Sequence, residues 1–126
     1  MVVILFAGVA SAAPSITLAG AARAGAPVSF EFREDAAGTV LIDGCAPVEY
    51  ERMDGERWVP VPAPACDAAR VATVVDKALT VAAPAPAPGT YRAVLAWGAG
   101  CAEGRPFALS GCRQLDFGRS KAFEVR

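Results

Sequence analysis

The sequence predicts an all-β protein, an antiparallel sandwich of two sheets with about seven short strands, preceded by a cleaved leader. Three observations carry that expectation. Apolar and polar residues alternate in short runs, as Val28, Phe30 and Phe32 do against Ser29, Glu31 and Arg33. Asp54-Gly55 separates two such runs, and a tight hairpin turn needs the positive φ that this pair adopts easily. Gly, Pro and Asp punctuate the chain at near-regular spacing, and no stretch holds a sustained helical apolar period.

Composition narrows the function. A chain of 126 residues supports one domain. Twelve Lys and Arg against 13 Asp and Glu leave a net charge of −1, so nothing could neutralise a row of phosphates, and nucleic acid is excluded as a partner. Hydrophobic residues make up 54% of the chain, which argues against disorder, but 28 of them are alanine and large side chains are scarce. There is no histidine. The commonest general base and the commonest metal ligand are therefore missing.

Residues 2–9 form an apolar run followed by Ala10-Ser11-Ala12, the small-x-small pattern of a signal peptidase site. We read 1–12 as a signal peptide, 13–25 as a linker or first strand, and 26–126 as the sandwich. The run is shorter than the ~20 residues a membrane span requires, so no stable membrane insertion is expected after cleavage. No Lys or Arg precedes the run, which points to a truncated start; a buried N-terminal strand is the alternative. The expected location is secreted or periplasmic. Cys45, Cys66, Cys101 and Cys112 fit two disulfides in that setting. Four thiolates could also hold zinc, but the close Cys-x-x-Cys pairs of a zinc knuckle are missing, so no metal and no cofactor is expected.

The elements follow in order. Residues 28–33 form a half-buried strand and 39–42 a short apolar one. Val48, Tyr50 and Arg52 alternate with Glu49 and Glu51 up to the Asp-Gly turn. The returning arm, 58–64, carries Pro60, Pro62 and Pro64, which suits an edge strand whose proline side faces solvent. Residues 70–81 read as a strand interrupted near Asp76-Lys77, with a short helix as the alternative. The Ala-Pro stretch over 82–88 is a stiff surface connection. Tyr91, Ala93, Leu95 and Trp97 share one face of the clearest strand, and Phe123 and Val125 one face of the last, which runs over about 117–125. Phe30, Phe32, Tyr50, Trp58, Tyr91, Leu95, Trp97 and Phe123 are the expected core.

Strand register pairs the cysteines. With Met53 facing Glu56 across the turn, Cys45 falls opposite Pro64, a short step from Cys66 that a bulge would close. With Tyr91 opposite Ala122, the same register extended past Trp97 sets Cys101 opposite Cys112. Two local clips are predicted, Cys45–Cys66 and Cys101–Cys112.

The hairpin Tyr50-Glu51-Arg52-Met53-Asp54-Gly55-Glu56-Arg57-Trp58-Val59-Pro60-Val61-Pro62, the strand entry Pro88-Gly89-Thr90-Tyr91-Arg92 and the closing Ser120-Lys121-Ala122-Phe123-Glu124-Val125 resemble the small secreted bacterial Ig-like domains. The resemblance covers most of 26–126 and implies an Ig-like β-sandwich without enzymatic activity. It also suits Tyr91 to a tyrosine corner, with its ring in the core and its hydroxyl bonded to the preceding loop. The local cysteine clips depart from antibody-type domains, which bridge their two sheets.

Chemistry is otherwise sparse. Glu49 and Glu51 project to one face, and beside Arg52 and Arg57 they read as a solvated strand face, not an acid/base pair. Asp35, Asp43, Asp54 and Asp76 lack calcium-loop spacing. Ser110-Gly111 lacks the upstream glycine of a nucleophile elbow, and Gly98-Ala99-Gly100 has no helix after it to cradle a phosphate. The loop over 98–116, pinned by Cys101 and Cys112, is the feature beyond a plain scaffold. Arg105, Phe107 and Leu109 are its candidate binding residues, for an unknown protein or envelope component. The competing expectation is a long turn with Phe107 and Leu109 tucked onto the core. The leading function is a binding or structural module; a protease inhibitor presenting Arg105 is the rival, and an enzyme is disfavoured.

Overall fold

The computed structural model describes residues 14–34, 39–63, 66 and 70–126. The expected leader lies outside them. Among the described residues ten strands form: β1 (Ser15–Ala19), β2 (Val28–Arg33), β3 (Val40–Ile42), β4 (Val48–Asp54), β5 (Arg57–Val61), β6 (Thr73–Val75), β7 (Ala78–Ala83), β8 (Gly89–Ala99), β9 (Gln114–Arg119) and β10 (Phe123–Val125). One sheet is β1-β2-β7. The other is built on β8, the longest strand at 11 residues.

A strand has two edges, and β8 uses both in full. β4 and β3 lie end to end along one edge, pairing Val48 with Leu95 and Ile42 with Trp97. β10 and β9 lie end to end along the other, pairing Phe123 with Tyr91 and Phe117 with Ala96. β5 and β6 then flank β4 and β3. Ten segments thus occupy seven strand positions, three in one sheet and four in the other, and the pairings are antiparallel throughout. This is the two-sheet, all-β sandwich that the alternating pattern predicts.

Alternation decides what is buried. Phe30, Phe32, Ala93 and Leu95 are sealed between the sheets, with Val28, Ile42, Val75, Tyr91 and Val125 close behind. Phe30 of the first sheet packs its ring 6.2 Å from Tyr50 and 5.8 Å from Phe123 of the second, and Tyr50 lies 6.1 Å from Tyr91. Burying such a ring contributes about 2–3 kcal/mol, so this cluster is the main hold between the layers. Trp58 lies outside it. Edge position leaves it half-buried on the outer face, where the Arg92 guanidinium stacks 4.5 Å from its ring.

Three local expectations are corrected. The hairpin turn is Gly55-Glu56, with positive φ at Gly55 (64°) alone, so Asp54 pairs with Arg57 and Met53 with Trp58. Counted outward, that register matches position 45 with position 66, the two cysteines that bond. The interruption at Asp76-Lys77 is a change of sheet: Lys77 takes φ 72°, β6 stays beside β3, and β7 joins β2. The corner is tied to the end of β2 by the Glu34 N–H, which donates to the Lys77 carbonyl at 2.6 Å. The Glu34 side chain is buried, and its Oε2 has no hydrogen-bond partner among the described residues. Finally, the hydroxyl bonded to loop backbone belongs to Tyr50, which donates to the Pro84 carbonyl at 3.0 Å. Tyr91 keeps its ring in the core and packs its hydroxyl end beside Gly89. Burial pushes the Tyr50 phenol up from 10.0 to about 12.

Candidate functional site

Both predicted disulfides form, Cys45–Cys66 with Cα atoms 6.3 Å apart and Cys101–Cys112 at 3.9 Å. Such bonds suit an oxidising compartment. The first sits where two strands break side by side, β3 from β4 and β5 from β6. Asp43 turns the inner break by accepting the Cys45 and Ala46 N–H groups at 2.8 and 3.1 Å. Gly44 keeps its backbone against the Val71 carbonyl, leaving no space for a side chain. Beside this clip lies a groove of about 400 Å³, walled by Ala46, Val61, Ala63, Ala83 and Pro86, into which Tyr50 reaches.

The second clip organises the opposite feature, the loop between β8 and β9. Gly100 leaves β8 at φ 66°, and Cys112 Sγ settles over Gly98 on the outer face of the four-position sheet. The loop then runs across that face instead of projecting from it. Pro106 forms a bridge with Val71, and the Ala72 N–H donates to the Arg105 carbonyl at 2.8 Å. Leu41, on the outer face opposite Gly98, is consequently only 3% exposed. Within the loop, Phe107–Leu109 form a 3-10 turn held by Ser110, whose buried hydroxyl donates to the Phe107 carbonyl at 2.6 Å, while the Ala102 N–H donates to the Ser110 carbonyl at 2.8 Å.

This geometry separates the three expected loop residues. The Arg105 side chain is exposed although its backbone is engaged. Phe107 is half-buried, and Leu109 stands 67% exposed, so the picture of both tucked onto the core does not hold for Leu109. Two further residues join them that sequence reasoning missed. Leu115 and Phe117 in β9 are 65% and 54% exposed, on the outer face, opposite Gly98 and Ala96. The signal was present in the Leu115, Phe117, Arg119 alternation, but a final strand begun at Phe117 concealed it.

The outer face between the hairpin and β9 carries one charge network. Glu51 Oε1 accepts from Arg92 Nε at 2.6 Å and lies 3.7 Å from Arg119 Nε. Arg92 stacks on Trp58, and Arg119 lies 5.7 Å from the centre of the Phe117 ring. Glu51 is thus engaged by arginines from β8 and β9, not by Arg52 and Arg57. One carboxylate serves two guanidiniums, which leaves Arg119, the more exposed of the two, with charge to offer. Among the described residues no group of three or more Cys, Asp or Glu side chains is placed to hold a metal ion. No protein-family model matches this chain, and no curated protein or solved structure shows significant similarity to it.

Proposed function

We propose that the chain is a secreted or periplasmic, non-enzymatic Ig-like module that binds or supports another macromolecule. The Ig-like reading is supported by strand order. Numbering the seven positions along the chain, one sheet runs 1-2-5 and the other 4-3-6-7. In immunoglobulin lettering these are A-B-E and C′-C-F-G, the fourth strand standing beside C as it does in variable-type domains. The residues of the hairpin and of the two closing strands, which carry the resemblance, fall on C, C′, F and G.

The observation that carries binding is the exposed apolar set Leu109, Leu115 and Phe117, flanking a clip that already holds its loop in place. A preorganised surface loses little entropy when a partner immobilises it. Absence of histidine from the sequence supports a role without acid/base chemistry. The protease-inhibitor alternative fits less well. The Arg105 carbonyl is already engaged by Ala72, and the peptide bond an attacking protease would address leads into Pro106.

The test is chemical crosslinking in envelope and culture-medium fractions, with wild type beside an Arg105→Ala, Phe107→Ser variant and a Leu115→Ser, Phe117→Ser variant. A discrete adduct formed by wild type and lost in one variant supports the reading. No adduct above that of an unrelated disulfide-bonded sandwich would overturn it.

A further inference from the structure

We propose that the outer edge of β9 is a strand-addition site for an extended partner segment, apolar at alternate positions and carrying a carboxylate at each end. The proposal rests on the binding-module reading and assigns its site and the chemistry of its partner.

The backbone supplies the first argument. Ser120 N–H donates to the Ala93 carbonyl at 2.9 Å, so alternation along β9 turns the even-numbered residues toward β8. Leu115, Phe117 and Arg119 therefore direct their N–H and C=O groups away from it. Consistent with this, the Phe117 N–H is taken by the Asp116 carboxylate at 2.8 Å. Among the described residues no strand pairs with this edge. Two other edges of the same sheet are obstructed. Pro60 in β5 and Pro62 just after it remove outward donors along that edge. Ala22 and Ala24 bond to Arg126 beside β10, through Arg126 N–H to the Ala22 carbonyl at 3.3 Å and Ala24 N–H to the Arg126 carbonyl at 2.8 Å.

Side chains supply the second. Leu115 and Phe117 stand 65% and 54% exposed on the outer face, where side chains of a strand added beside β9 would meet them. In strand addition, main-chain bonds give affinity and alternate side chains give specificity. Charge supplies the third. Residues 113–121 hold Arg113, Arg119 and Lys121 against Asp116, a net +2 in a chain of net −1. Among the described residues Arg119 has one carboxylate partner, Glu51, and shares it with Arg92. A segment whose ends are acidic complements these cations. Asp116 acts as the guard of the edge. Its carboxylate holds the central amide until an incoming carbonyl replaces it, and it discourages casual pairing in the meantime.

The probe is a fluorescein-labelled Glu-Thr-Val-Thr-Val-Thr-Glu peptide, followed by fluorescence anisotropy and by amide shifts of the labelled protein. Saturable binding is expected, with the largest amide changes at Leu115, Phe117 and Arg119. Leu115→Pro, which removes an outward donor and leaves the β8 ladder intact, should weaken binding by about tenfold or more. Should that variant fail to fold, Phe117→Thr on the exposed face should show the same loss. Asp116→Ala should bind several-fold tighter. A Lys-ended version of the peptide should bind at least about tenfold more weakly. Absence of saturable binding to both wild type and Asp116→Ala would overturn the site, as would undiminished binding by folded Leu115→Pro or Phe117→Thr. Self-association through β9, seen by ultracentrifugation and abolished by Leu115→Pro, would also overturn it, since a second copy would then be the occupant. A crosslinked adduct that persists while the peptide fails removes this site but leaves the binding-module reading standing; peptide binding without any adduct does the reverse.

Discussion

Cys112 Sγ lies over Gly98, in the space a side chain at that position would fill, with Cys101 Sγ beside it. The clip therefore depends on a glycine at position 98. Gly98→Val should displace the sulfurs and cost about 1–3 kcal/mol. In a Cys101→Ala, Cys112→Ala background, most of that cost should vanish. Urea unfolding of the four proteins, with free thiols counted under denaturing conditions, measures both effects, and an equal cost in the two backgrounds would contradict the packing described.

The two disulfides close loops of different length, with sequence separations of 21 and 11 residues. Removing either by paired Cys→Ala substitution should cost about 2–4 kcal/mol, and the longer loop about half a kcal/mol more on chain entropy alone. Equilibrium unfolding reads the difference. Non-reducing peptide mapping that linked Cys45 to Cys101 would contradict the register.

Tyr50 joins the core cluster to the Ala-Pro connection through its bond to Pro84. Tyr50→Phe should cost about 1 kcal/mol at neutral pH. Its phenol stays protonated to about 12 in the folded chain, whereas in the unfolded chain it ionises near 10.0. The unfolded state thus loses its proton first, and stability should fall as pH rises from about 10 and level off near 12. Tyr50→Phe should remove that part of the decline. Denaturant midpoints between pH 9 and 12.5, together with the phenolate absorbance of the protein's two tyrosines, provide the check.

Glu51 holds Arg92 closely and Arg119 loosely, with the Arg92 side chain 25% exposed and that of Arg119 47%. Double-mutant cycles should give Glu51 with Arg92 a coupling of about 0.5–1.5 kcal/mol, and Glu51 with Arg119 below about 0.5. Added salt should erase the second before the first. A larger coupling to Arg119 would contradict the charge surplus assigned to it.

Much of this architecture was legible in the residues. Val28, Phe30 and Phe32, then Tyr91, Ala93, Leu95 and Trp97, declare strands and their buried faces because a period of two admits one partition between core and water. Cys101–Cys112 follows from a register that β8 and β9 keep unbroken. The hairpin register was less legible: Asp54-Gly55 marks a turn, but whether Gly55 stands first or second in it is a backbone choice, and that choice moved the partner of Cys45 from Pro64 to Cys66.

What the chain alone determined is local: which segments are strands, which face of each is apolar, and that cysteines close in sequence become neighbours when the strands between them turn back. What tertiary structure decided is everything that depends on which surface a segment meets. The sequence cannot say that Asp76-Lys77 sends the chain from one sheet to the other, that Arg105 and Pro106 lie along Val71 and Ala72, or that Tyr50 and not Tyr91 reaches Pro84. Leu115 and Phe117 show the reason most plainly. Their alternation is that of a core strand, yet both lie on the outer face of the sheet, where among the described residues no layer covers them, so both side chains stand in water. Hydrophobic pattern reports a residue's preference for burial, and only the arrangement of the neighbouring layers determines whether that preference is met.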